Sequence, residues 1–116
     1  MFNKNFSKYS SFLVWVLLTF SVNINAERLA LVIGNDEYLS IPQLHKAVSD
    51  SESMADVLSK AGFKVTALKN ASYREIVKSV DKFSRDIKPD DQAVFFFAGH
   101  GVQLKTGNYI LPVDVD

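Results

Sequence analysis

Residues 93–98 (AVFFFA) form an unbroken apolar run that stops against Gly99, His100 and Gly101. A run this short, with three consecutive phenylalanines, suits a strand buried on both faces, as in the middle of a parallel sheet. Residues 29–33 (LALVI) make a second wholly apolar run, ended by Gly34 and Asn35. Parallel strands need crossovers, and the sequence between the two runs reads as helix, strand, helix. The two glycines around His100 release the backbone from β geometry and leave room for the imidazole. In open α/β sheets the carboxyl edge is where ligands and catalytic groups collect, so His100 is the leading candidate for chemistry. The plain alternative is a turn histidine bonded to a nearby carbonyl.

The segments between carry clear punctuation. Ser49 and Glu52 read as an S-x-x-E capping box, Met54, Ala55, Leu58 and Ala61 form an apolar stripe, and Gly62 suits a left-handed C-cap. KVTALK, residues 64–69, alternates like a partly covered strand near a sheet edge. Ser72 and Glu75 make a second capping box before Ile76, Val77, Val80, Phe83 and Ile87, and Lys88-Pro89 ends that helix. Lys78, Asp81, Lys82 and Arg85 read as its solvated face. Residues 102–104 and 109–111 flank a turn at residues 105–108, with Gly107 supplying the permissive φ of a hairpin. The expected fold is a parallel, doubly wound αβα sandwich with flavodoxin-like strand order 2-1-3, built as β-α-β-α-β plus a hairpin. That order sets Asn35 and Asp36 close to His100 at the switch point.

Composition narrows the function. The chain has 116 residues, 47% apolar and 22% charged, which fits one small globular domain. Thirteen basic against 13 acidic residues give no reason to expect nucleic acid or an anionic membrane surface as partner. Residues 1–26 have the layout of a secretory signal peptide: Lys4 and Lys8, an apolar stretch FLVWVLLTF over residues 12–20, and SVNINA ending at Ala26. The apolar stretch is too short to span a bilayer. Ile24 is bulky for the position three before the cut, which keeps an uncleaved membrane anchor as the alternative. Cleavage removes two of the 13 basic residues and no acid, leaving 11 − 13 = −2. An exported chain, periplasmic or secreted, is expected, with no stable membrane association after cleavage. There is no cysteine, hence no disulfide framework and no thiol nucleophile in this sequence. With two histidines, His45 and His100, and no cysteine, no metal-ligand spacing is present, and GxGxxG is absent. No metal or cofactor is expected.

RLALVIGNDEY (residues 28–38), AVSDSESMADVLSKAGF (residues 47–63) and VFFFAGHG followed by NYILPVD together resemble the caspase-like cysteine peptidases (peptidase family C14), nearest to their bacterial metacaspase-like branch. The resemblance runs from about residue 29 to residue 116. It implies that His100 is the histidine of a Cys–His dyad and that the Gly101 backbone N–H donates into the oxyanion hole. It also implies that Asp50 lines the first specificity pocket, where in metacaspases an acid favours Arg or Lys before the scissile bond. The residue-level alternative for Asp50 is a first-turn acid complementing the helix dipole. Asp36 matches no role in the family. Caspases place their cysteine about 50 residues after the histidine, whereas 16 residues follow His100 in this sequence. Residues 27–116 are therefore expected to be a p20-type caspase-like domain, cut short before the catalytic cysteine. Such a chain is inactive alone and acts on a peptide or protein substrate once its missing half completes it. Two other readings compete. One is a non-catalytic pseudo-enzyme or protein-binding module, whose bare sheet edge a partner would cover. The other is a phospho-acceptor receiver, which needs an acid at the end of the third strand, where this chain has Gly-His-Gly.

Overall fold

A computed structural model describes residues 25–116; the expected leader, but for its last two residues, lies outside them. Strand β1 (Arg28–Gly34) runs between β2 (Lys64–Lys69) and β3 (Gln92–Ala98), parallel to both. The order β2-β1-β3 is the expected 2-1-3. Helix α1 (Ala47–Lys60) connects β1 to β2, and α2 (Tyr73–Asp86) connects β2 to β3. The helices lie on opposite faces of the sheet.

The alternation of β1 side chains builds both layers of the core. Leu31 and Ile33 meet Ala71 and Ile76 on the α2 side, with Leu68, Phe83 and Phe97 around them. Ala30 and Val32 meet Leu58 on the α1 side, with Met54, Phe63, Val94 and Phe96 packed against them. Each large aliphatic side chain buried in this way stabilises the fold by about 1.5–3 kcal/mol.

The middle strand is β1, not β3. Residues 30–33 are at most 1% exposed, whereas β3 is half-buried and Phe95 is 48% exposed. Two causes act together. No strand flanks β3 on its outer side among the described residues. In addition, α2 covers its face of the sheet chiefly over β1 and reaches Phe97 of β3 through the cluster around Ile76 and Phe83, while Phe95 on the same face stays open. β2 is the other edge, half-covered as its alternation implies.

The helix ends divide between expected and unexpected devices. At α2 the capping box is formed: Ser72 Oγ accepts from the Glu75 N–H, and the Glu75 carboxylate accepts from the Ser72 N–H at 2.8 Å. At the C-terminus of α1, Gly62 sits at φ 88°. Its N–H donates to Ser59 O and the Phe63 N–H to Leu58 O, both at 3.0 Å, which is a Schellman closure. The expected Ser49/Glu52 box does not form. α1 begins at Ala47, three residues earlier than a Ser49 cap implies, with no side-chain cap from Lys46. Ser49 Oγ donates back to Lys46 O, and Glu52 pairs with Lys69 on β2. The α2 stripe is narrower than its spacing implies. Ile76 is buried while Val77, one step round the helix, is 48% exposed. Beyond β3, β4 (Gly101–Leu104) and β5 (Gly107–Ile110) form the hairpin, antiparallel and exposed throughout. Its turn is two residues, Lys105 and Thr106, and Gly107 opens β5 at φ 146°.

Candidate functional site

The site lies where β1 and β3 end and the β1–α1 loop begins. At the end of β1, a Cβ on Gly34 would stand 2.1 Å from Ser51 Oγ and 2.8 Å from Ala47 O, so only glycine lets α1 start this close. Asn35 follows, fully buried. Its Oδ1 accepts from the Ala71 N–H at 2.8 Å, and its Nδ2 faces Ala71 O and Leu111 O, both at 3.4 Å. Asp36 supplies the cap that α1 lacks locally. Its carboxylate accepts from the N–H groups of Ala47 (2.8 Å) and Val48 (3.2 Å), eleven and twelve residues on. Its carbonyl accepts from the Tyr38 and Leu44 N–H groups, closing the loop over residues 36–44. The backbones of β1 and β3 are joined here, Asn35 N–H donating to Ala98 O at 2.9 Å. The side chains of Asn35 and Asp36 are nevertheless committed to holding the loop and helix.

Tyr38 is the residue that reaches His100. It is 1% exposed. Its hydroxyl accepts from the His100 backbone N–H at 2.8 Å and donates to Leu111 O at 2.9 Å. Its ring meets the imidazole edge-on, centroids 4.7 Å apart. Burial, above all, pushes the Tyr38 hydroxyl above the usual tyrosine range, so it stays a donor at neutral pH. The half-buried imidazole points Nε2 at Pro42 O, 2.8 Å away. A carbonyl only accepts, so in the neutral ring Nε2 carries the proton and Nδ1 keeps the lone pair.

The glycines around His100 give space more than torsional freedom. Neither Gly99 nor Gly101 has positive φ, which among glycines occurs at Gly62 and Gly107. A Cβ on Gly99 would stand 2.6 Å from the Tyr38 hydroxyl and 2.7 Å from the Phe97 ring. Gly101 pairs with Ile110, next to a Leu111 N–H that donates to His100 O at 2.9 Å. By the alternation of antiparallel ladders, Gly101 therefore holds a non-hydrogen-bonded position, its N–H aimed away from β5.

Asp50 is exposed in the first turn of α1 and lines an open cleft of about 510 Å³ with Leu44, His45, Lys46, Ala98 and Gly99. Asp50 and the chain segment carrying His100 thus border one cleft. Sequence reasoning missed Tyr38 and Pro42. Their only local signal was a tyrosine and a proline in the polar loop after β1. Among the described residues no three His, Cys, Asp or Glu side chains gather closely enough to hold a metal ion.

A doubly wound α/β domain with a carbonyl-tethered histidine at the carboxyl edge of its sheet is the class that fold and site define. The Peptidase C14 caspase-domain family model matches residues 27–115, and the chain belongs to that family. It is 28% identical over 88 residues to the mucosa-associated lymphoid tissue lymphoma translocation protein 1 homolog of Mus musculus, and equally to the Homo sapiens protein. The match covers 76% of this chain and 11% of each relative, so the chain spans about a tenth of their length.

Proposed function

We propose that this chain supplies the histidine half of a cysteine-type endopeptidase site of metacaspase-like kind. The observation that carries the reading is the tether of His100 Nε2 to Pro42 O, which leaves Nδ1 as the base. A thiol placed at Nδ1 would give up its proton there, and the resulting imidazolium would be held by the Pro42 carbonyl until it protonates the leaving amine. The Gly101 N–H, unused by β5, is the donor for the tetrahedral oxyanion. Asp50, at the rim of the cleft, pairs with Arg or Lys before the scissile bond. The substrate is a peptide or protein, and the chemistry needs no metal or cofactor.

The sequence contains no cysteine, so on this reading the thiol is supplied from outside these 116 residues. Removing the nucleophile of a covalent catalytic unit costs about 10⁶ in kcat in the serine-peptidase precedent. The 116-residue polypeptide is therefore expected to hydrolyse no Arg or Lys peptide above buffer. Coding sequence downstream of codon 116, in any frame, is expected to encode a cysteine motif about 30–60 codons past His100. Appending it should yield cleavage after Arg or Lys that iodoacetamide blocks and His100→Ala abolishes. Asp50→Ala should relax the basic preference. Activity in the polypeptide alone, or activity that survives His100→Ala, overturns the reading. The absence of a cysteine also favours a second reading, a non-catalytic pseudo-enzyme or protein-binding module. That reading takes over if no downstream frame supplies the thiol.

A further inference from the structure

Tyr38 makes more contacts with the His100 segment than a space-filling residue needs. Its hydroxyl bonds to both residues that flank the β4–β5 hairpin: it receives the His100 N–H at 2.8 Å and gives its own proton to Leu111 O at 2.9 Å. Leu111 N–H in turn donates to His100 O, so hydroxyl, His100 and Leu111 close a small ring of hydrogen bonds. The tyrosine ring then stands edge-on to the imidazole at 4.7 Å. Tyr38 is also four residues before Pro42 in the loop that Asp36 closes, so it joins the histidine to the loop that holds its Nε2. Gly99 matches this arrangement, since any larger residue there would collide with the hydroxyl.

We propose that Tyr38 is a positioning residue for His100, whose hydroxyl and ring hold the imidazole as the Nε2–H tautomer against Pro42 O with Nδ1 free. The proposal rests on His100 being the base only for its catalytic meaning; the geometric claim stands without it. A phenol serves here because one group both accepts and donates, and a buried, protonated hydroxyl can do both at neutral pH. Phenylalanine keeps the ring and loses the ring of hydrogen bonds.

Long-range ¹⁵N–¹H spectra of the full chain test this at a pH above the ordinary histidine range of about 6.5. In the wild type His100 is expected to show one dominant tautomer, protonated at Nε2, while exposed His45 shows an averaged pattern. A mixed tautomer at His100 in the wild type overturns the proposal with no variant needed. In Tyr38→Phe the His100 tautomer ratio is expected to fall about fivefold, the worth of one ordinary net hydrogen bond. Ile76→Val, a core change in the cluster with Leu31, Ile33 and Ala71 that touches no hydrogen bond of Tyr38, should leave the ratio unmoved although it lowers stability. A folded Tyr38→Phe chain with the wild-type ratio, or an equal change in Ile76→Val, refutes positioning. None of these readings depends on peptidase activity. If a thiol-completed chain keeps its activity in His100→Ala, the base assignment fails while the Tyr38 result still stands.

Discussion

Replacing Asn35 tests the account of how the sheet edge is held. The side chain is fully buried and joins three chain segments: the end of β1, the start of α2 through Ala71, and the segment after β5 through Leu111. In Asn35→Ala the Ala71 N–H loses its 2.8 Å acceptor in a buried setting, a cost of about 1–3 kcal/mol. The two 3.4 Å contacts are long, and with the void left behind they add about 1 kcal/mol. The expected loss is therefore about 2–4 kcal/mol, a large part of the 5–15 kcal/mol that holds a typical domain together. Asn35→Asp separates the acceptor from the donor. It keeps an oxygen for the Ala71 N–H but turns the other oxygen toward two carbonyls, so burial and those carbonyls raise its pKa. A raised carboxyl pKa stabilises only where the group is protonated in both states. The aspartate variant should therefore be near wild type below about pH 3.9 and weaken as pH rises from there through its folded pKa. Asn35→Ala should show a loss that does not depend on pH. Urea unfolding of the full chain at several pH values, each variant compared with wild type at the same pH, reads both effects. A loss below about 0.5 kcal/mol in Asn35→Ala, or an aspartate variant that gains on wild type as pH rises, refutes the reasoning.

Gly34→Ala should lose about 1–3 kcal/mol, because its Cβ meets the Ala47 carbonyl and α1 must move; thermal unfolding unchanged from wild type would show that the helix start is soft. Ser72→Ala should lose about 1 kcal/mol by opening the α2 capping box. The carboxyl of that box, Glu75, is held below its usual range first by the Ser72 backbone N–H and then by the Ser72 hydroxyl. Its support is present above about pH 4.3 and lost as pH falls through the folded value. Glu75→Gln should thus flatten the acid limb of a stability–pH curve, and an identical limb would count against the box. Export by the residue 1–26 leader predicts a mature chain that begins at Glu27, read by amino-terminal sequencing of an exported fraction; intact Met1 in membranes would favour an anchor.

Most of the architecture could be read because it follows from local chemistry. LALVI and VFFFA are too apolar and too short for anything but strands of a covered sheet. Short connections with right-handed crossovers then leave little besides the order 2-1-3. Gly62 and the Ser72–Glu75 pair act within a few residues of themselves, and both devices formed. Ser49 and Glu52 have the same spacing and failed, because Asp36, eleven residues before Ala47, caps the helix at Ala47 and Val48 and so leaves Ser49 inside its first turn. A cap supplied from another element leaves no trace in a local pattern. The same holds for Tyr38 and Pro42, whose partner His100 lies 62 and 58 positions away. The position of β3 departs from the expected one for a different reason. Its composition states how much burial the strand is suited to, while its exposure states how much the neighbouring elements provide.

The place of β1 has a consequence for how the chain is made. Leu29 pairs with Lys64 and with Ala93, 64 − 29 = 35 and 93 − 29 = 64 positions later. At about 5–20 residues per second, the ribosome needs roughly 3–13 s to deliver the second of those partners. Through that interval the most deeply buried strand of the fold has emerged with at best one neighbour, and the loop closures it awaits are long. No early hairpin can shelter it, because both of its neighbours are parallel. The nascent chain therefore carries residues 29–33 without their second partner for seconds, and the three-stranded sheet of the described residues is complete only when β3 arrives.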